Sequence, residues 1–193
     1  MIENIDFEQK TDEELVKIVL ENQSIFSYLV NRYKDKLLRY IRRISNVGLE
    51  EAEDILQNIF IKVYLNLNDF DDSLKFSSWV YRIAHNEVID NYRKRQARPQ
   101  LLDADIKDSQ IKELASGTNL LEELAHQELK QEISAAISQI DIKYQEMIVL
   151  KYLEEKDYQE ISDIIKKPLG TVASRMNKAK AELKKVLLSS HRL

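Results

Sequence analysis

The chain has 193 residues, 32% of them charged, with three glycines, two prolines, no cysteine and a formal net charge of −4. That length suits one or two small domains, and the scarcity of Gly and Pro favours helices over strands. Without cysteine there is neither a disulfide nor a thiolate metal site, which fits a reducing cytoplasm. No apolar run approaches membrane-spanning length and the acidic start is unlike a signal peptide, so neither membrane insertion nor export is expected.

The negative total hides a polarised chain. Glu3, Asp6, Glu8, Asp12, Glu13, Glu14 and Glu21 load the front, whereas Arg82, Arg93, Lys94, Arg95 and Arg98 cluster in the middle and lysines crowd the end. Binding of a polyanion depends on the local field and not on the sum.

In chain order, Thr11-Asp12-Glu13-Glu14 has the form of a capping box and predicts a helix through about Leu20. Asn22-Gln23-Ser24 is a short break. A longer helix runs from about Ile25 to Ile44, and Gly48 ends it. Leu49 to Leu67 is the next helix. Its rows Ile55-Ile59-Val63-Leu67 and Leu56-Phe60-Tyr64 face a core, while Asp54, Gln57, Asn58, Ile61 and Lys62 point elsewhere. An apolar Ile61 among polar neighbours reads either as a protein contact or as an ordinary lone exposed residue.

Asn68 to Lys75 reads as a loop. Phe76 to about Arg95 reads as a helix whose outer sides carry Tyr81, Arg82, His85, Asn86, Asp90, Tyr92 and Arg93. Interleaved rings and cations suit single-stranded nucleic acid, because bases stack on rings while cations follow phosphates. Trp79 reads equally as a core aromatic or as a base contact. Residues 98–120 show weak periodicity and a mildly acidic balance, and read as a flexible linker. Helical pattern returns from Leu121 to about Gln139. Asp141 can cap the following helix, with Tyr144, Met147, Ile148, Leu150 and Tyr152 mostly inside.

Tyr158 to Leu188 reads as two helices and a tight turn. Lys167-Pro168-Leu169-Gly170 breaks the first helix, and Thr171 can cap the second. Val172, Met176, Ala179, Leu183 and Leu187 recur at core spacing. Ser174, Arg175, Asn177, Lys178, Lys184 and Lys185, with Lys180 beside them, form the free side. A polar-basic second helix after a brief turn is a helix-turn-helix, which fits the DNA major groove. The alternative is a solvated helix face.

No glycine-rich phosphate loop, zinc spacing or nucleophile motif occurs, and His85, His126 and His191 have no matching ligand set. No catalytic residue, metal or cofactor is therefore expected, and a metal nuclease lacks any ligand spacing. A conventional helix-turn-helix regulator explains the last third of the chain but not the aromatic-basic helix. A pure adaptor that binds protein without reading DNA leaves the terminal basic helix without a role.

Three stretches carry a family resemblance. They are Glu53-Asp54-Ile55-Leu56-Gln57-Asn58-Ile59-Phe60, Phe76-Ser77-Ser78-Trp79-Val80-Tyr81-Arg82-Ile83-Ala84-His85-Asn86 onward to Asp90 and Arg93, and Pro168-Leu169-Gly170-Thr171-Val172-Ala173-Ser174-Arg175. In this order and spacing the chain resembles a bacterial RNA polymerase sigma factor of the extracytoplasmic-function group in the sigma-70 family. The resemblance implies an all-α fold of two small helical domains. Its parts would be an acidic segment and first helix at 1–23, sigma region 2 at 24–97, the linker at 98–120, and sigma region 4 at 121–190 with its helix-turn-helix at about 157–178.

It further implies promoter recognition and melting with core RNA polymerase as partner. Asp54, Gln57, Asn58 and Ile61 would meet polymerase. Asp69, Phe70, Lys75, Trp79, Arg82, Asn86, Asp90, Arg93 and Lys94 would meet the −10 DNA, with Arg95 on phosphates beside Lys94 and a flipped base held by the loop 69–75. Ser174, Asn177 and Lys178 would meet −35 base edges, and Thr171, Arg175, Lys180 and Lys184 the DNA backbone, with a guanine the alternative for Arg175. An anti-sigma protein is the further implied partner. Two departures stand out: Ala173 occupies a position that is usually basic, and Asn22-Gln23 replaces the usual Gly-Asp turn.

Overall fold

The computed structural model describes residues 7–97, 129 and 131–190, and among these there is no strand. Four helices form the first domain: α1 Asp12–Glu21, α2 Phe26–Ser45, α3 Leu49–Leu65 and α4 Phe76–Ala97. Helical residues 131–138 (α5), α6 Ile142–Ile148, α7 Tyr158–Ile165 and α8 Leu169–Ser190 form the second. The linker expected at 98–120 and the start of the helix expected from Leu121 lie outside the described residues.

The expected capping box is present. The Glu14 amide donates to Thr11 Oγ1 at 3.2 Å, and the Thr11 amide donates to Glu14 Oε2 at 2.9 Å. Two free amides of the first turn are thereby satisfied. Leu15, Val16 and Val19 bury the inner face of α1. Asp12 receives the Arg32 guanidinium at 2.7 Å and the Tyr33 hydroxyl, which fastens α1 to α2. Asn22 caps a 3-10 turn at Gln23–Ile25 through the Ser24 amide. Asn46 ends α2 in the left-handed conformation at φ 51°, a geometry Asn tolerates better than most residues.

Leu29, Tyr33, Leu37, Tyr40, Ile41 and Ile44 line the buried side of α2. Against them pack Ile55, Ile59 and Val63 of α3 and Phe76, Val80, Ala84 and Val88 of α4. Tyr64 departs from the expected core row. It is exposed and meets Phe26 edge-on at 5.1 Å. The helix ends at Leu65, so buried Leu67 sits in a following 3-10 turn, Leu67–Asp69.

In the second domain Asp141 caps α6 by accepting the Lys143 amide at 3.0 Å. The helix widens into a π turn over Val149–Leu153. Tyr152 is 53% exposed, so it is not the core residue expected from spacing. Asp157 and Glu160 form a second capping box at the start of α7. Ile161, Ile164 and Ile165 of α7 and Val172, Met176 and Ala179 of α8 are buried, with Leu183 packed against them. The two domains meet where α7 lies along α4 and where α6 approaches α2.

The turn between α7 and α8 differs from expectation. Lys166, not Gly170, takes the left-handed conformation, at φ 51°. Leu169 and Gly170 already belong to α8, and the Pro168 carbonyl accepts the Thr171 and Val172 amides at 2.8 and 3.1 Å. Thr171 is therefore inside the first turn and does not cap it. Pro168 immediately precedes the helix, where a residue without an N–H costs no helical hydrogen bond.

Candidate nucleic-acid interface

Three surfaces gather the residues singled out by sequence. The first is one side of α3. Asp54, Gln57, Asn58 and Ile61 are all exposed, opposite the buried row of Ile55, Ile59 and Val63. Ile61 is 50% exposed, and Leu65, one turn on, is 69% exposed. Leu20 and Tyr64 extend this apolar ground beside Leu65 around a shallow cavity. The spacing alone left Ile61 open between a lone residue and a contact. In the fold it belongs to a larger exposed apolar area, with carboxylate and amide groups at one edge.

The second surface lies between the end of α3 and the outer side of α4. Lys62, Asn66, Asp69, Trp79, Arg82, Ile83 and Asn86 line a cavity of about 310 Å³. Asp69, Trp79, Arg82 and Asn86 were expected at a DNA site, and the fold brings all four together. Lys62, Asn66 and Ile83 were not. Lys62 is ion-paired with Glu87, and the Asn66 side chain caps the end of α3 by donating to the Lys62 carbonyl at 2.7 Å. A crossing of two helices puts these residues at one cavity, and no local pattern announces a crossing.

Trp79 is 4% exposed and serves the core as well as the cavity wall. Its ring meets Phe70 at 5.6 Å and Phe76 at 5.7 Å, and Phe70 stands edge-on to Phe76 at 5.3 Å. Phe70 is thus a packed support and not a free stacking ring. Asp71 shapes the neighbouring loop. Its carboxylate accepts the Ser73 amide at 3.0 Å, which holds its pKa below the usual value.

Asn86, Asp90 and Arg93 follow one another at helical spacing along α4, all exposed, with Arg93 3.7 Å from Asp90. Lys94 lies exposed beside them. Arg95 lies 3.6 Å from Glu51, so it is held toward α3. Lys75 sits apart from the cavity and pairs with Glu160 of the second domain at 3.3 Å. Tyr81 and His85, read from sequence as outward-facing, instead face the second domain through Glu154 and Glu146.

The third surface is the free side of α8. Ser174, Asn177, Lys178, Lys180 and Lys184 are exposed, and Thr171 and Arg175 are half-buried. The Ser174 hydroxyl donates back to the Thr171 carbonyl at 3.0 Å. Lys180 lies over the Tyr152 ring at 5.8 Å, and that tyrosine raises its pKa. Lys185 is paired with Glu182 at 2.8 Å. The cations on this face thus divide into those with a partner on the protein and those, Lys178 and Lys184, turned to solvent.

Among the described residues no helix is long and apolar enough to cross a membrane, and no group of acidic or histidine side chains could hold a metal ion.

Comparison with known proteins shows the family and the fold. The sigma-70 region 2 model matches residues 29–98, and the sigma-70 region 4 model matches residues 130–183. The ECF RNA polymerase sigma factor SigW of Bacillus subtilis (strain 168) is 37% identical over 173 residues, covering 86% of this chain and 90% of that protein. Among solved structures, CnrH in complex with the cytosolic domain of CnrY superposes with a TM-score of 0.67 at 23% identity, covering 93% of this chain and 99% of that one. The sigma factor RpoE in complex with the anti-sigma factor NepR, from Bartonella quintana, gives 0.63 at 20% identity, covering 84% and 96%. At these identities the two structures share the fold.

Proposed function

This chain belongs to the extracytoplasmic-function group of the sigma-70 family of RNA polymerase sigma factors, and from that premise we propose which of its surfaces act in promoter recognition and opening. Factors of this family recognise promoters and direct initiation by core RNA polymerase, and they are not enzymes. The observation that carries the residue-level reading is the cavity between α3 and α4. It has the size of a small ligand site and is walled by an amide, a guanidinium, a carboxylate and an indole edge. A nucleobase offers donors, acceptors and a flat face to such a wall.

A flipped base of the −10 non-template strand enters this cavity, where Asn86 and Asp69 read its edge. Arg82 and Lys62 hold the adjoining phosphates. Asp90, Arg93 and Lys94 continue the path along α4. Extruding a base costs a few kcal/mol, and these contacts offset that cost. Permanganate footprinting of a cognate promoter with Asn86→Ala holoenzyme tests the assignment. Reduced reactivity of −10 thymines is expected, and full melting would remove Asn86 from the role.

On α3, Asp54, Gln57, Asn58 and Ile61 dock core polymerase in the cytoplasm. An apolar centre with polar edges is the usual composition of such an interface. On α8, Ser174, Asn177 and Lys178 read −35 base edges in the major groove, while Thr171, Arg175, Lys180 and Lys184 contact the backbone. Ala173 supplies no cation, so this helix makes one contact fewer than a basic residue there would provide. The RpoE structure includes an anti-sigma factor. An anti-sigma partner covering the α3 and α8 faces would silence this chain.

A further inference from the structure

The Lys62 ammonium pairs with the Glu87 carboxylate where α3 crosses α4. Lys62 lines the cavity together with Asn66 and Asn86, whereas Glu87 stands just outside that lining. Glu87 directly follows Asn86 and lies one helical turn from Ile83, another lining residue. Its side chain is only 12% exposed, against 49% for Lys62. A carboxylate covered to that extent is costly without a counter-charge, so the ammonium is kept beside it. Lys62 is held at its other end too, where its carbonyl accepts the Asn66 side-chain amide at 2.7 Å.

A lysine is ordinarily a loose point charge on a flexible stem. Left free, it follows whichever phosphate comes near, and each phosphate so neutralised steepens the salt dependence of binding. Phosphate contacts carry no sequence information, but they set the register of a strand. A lysine fixed in one place sets one register. The adjoining carboxylate also offsets much of its pull on phosphates elsewhere. With one partner half open to solvent, such a pair contributes little to stability. Its effect therefore falls on binding.

We infer that Glu87 is a positioning residue for the cavity, holding Lys62 so that a strand enters in a single register and its base meets Asn86 and Asp69. The inference rests on the base-capture reading above. Glu87 touches no base and acts only through Lys62. It lowers the grip on single strands in general and raises discrimination at the cavity. An ordinary tie between two helices would do neither.

Fluorescence anisotropy tests this with core polymerase and the full chain. The probe is a labelled single strand carrying the non-template −10 sequence of a cognate promoter. Companion strands replace each base in turn by an abasic site. For the wild type, one abasic position should weaken binding about tenfold, as loss of a well-held base does. Glu87→Gln should reduce that ratio at least threefold, bind the abasic strand more tightly at low salt, and steepen the salt slope by about 0.7, the value for one more phosphate on a single strand. Glu87→Asp keeps the charge and should keep the wild-type slope. Lys62→Ala should lose discrimination similarly but with a shallower slope, and adding Glu87→Gln to it should change neither quantity. Equal weakening of all strands by Glu87→Gln, an unchanged slope, or the same shift in the Lys62→Ala background overturns the inference. Full discrimination by Lys62→Ala overturns it whether or not Glu87→Gln folds. If no abasic position matters even for the wild type, the cavity reading itself fails; if one matters and Glu87→Gln leaves its ratio intact, only the role of Glu87 fails.

Discussion

The Glu13 carboxylate accepts the backbone amide of Phe76 at 2.9 Å, across 63 positions of sequence. An α1 side chain thus supplies the cap for α4, the helix that carries Arg82 and Asn86. The acidic start of the chain is therefore part of the scaffold that orients the cavity. Glu13→Ala should cost about 1 kcal/mol, the usual value of a lost cap. For a protein of this size that is a fall in melting temperature of about 2–4 °C. Calorimetry checks it, and an unchanged melting temperature would mean that the cap contributes nothing.

Trp79 and Asn86 line the same cavity but should fail differently. Trp79 is packed between Phe70 and Phe76, so Trp79→Ala removes core and should destabilise by about 3–5 kcal/mol. Asn86 is exposed, so Asn86→Ala should leave stability within about 0.5 kcal/mol of wild type. Chemical denaturation of the two variants separates support from contact.

Asp157 gives a pH dependence with a defined sign. The Glu160 amide donates to it at 2.8 Å and, as the main cause, lowers its pKa. A carboxyl lowered on folding contributes its stability above the unfolded value, about 3.9, and loses it as pH falls through the folded value. Asp157→Ala should therefore lower the melting temperature at pH 7 and make progressively less difference below about pH 4. Melts at pH 7 and pH 3 test this, and an equal difference at both would contradict the cap's ionic character.

Lys178 and Lys184 are both exposed on α8, six residues apart. If Lys178 reads a base, Lys178→Ala should reduce discrimination among −35 variants by about 1–3 kcal/mol. If Lys184 meets a phosphate, Lys184→Ala should weaken all variants alike and lower the salt slope by about one. Fluorescence anisotropy at several salt concentrations distinguishes the two.

Much of this was legible from local pattern. Periodicity placed α1 to α4, and the box at Thr11 marked a helix start because it requires an acceptor at a fixed offset. The turn before α8 was misread because Pro168 and Gly170 both punctuate chains. Here Pro168 stands just before the helix, Gly170 is an ordinary helical residue, and Lys166 makes the bend. Tyr81 and His85 looked outward-facing. They are covered only because another domain lies across them, and no window of sequence reports that. Lys62 and Asn66 were missed for a similar reason, since their place at the cavity depends on how α3 crosses α4.

The central claim is that this chain gives core RNA polymerase its promoter. Core enzyme should be incubated with the purified chain and a library of upstream sequences, and the 5′ ends of the run-off transcripts mapped. Transcripts starting at a fixed distance downstream of paired −35 and −10 motifs, absent without the chain and reduced by Asp54→Ala with Gln57→Ala, are the expected result. No chain-dependent start site, with a folded protein and active core, would contradict the account.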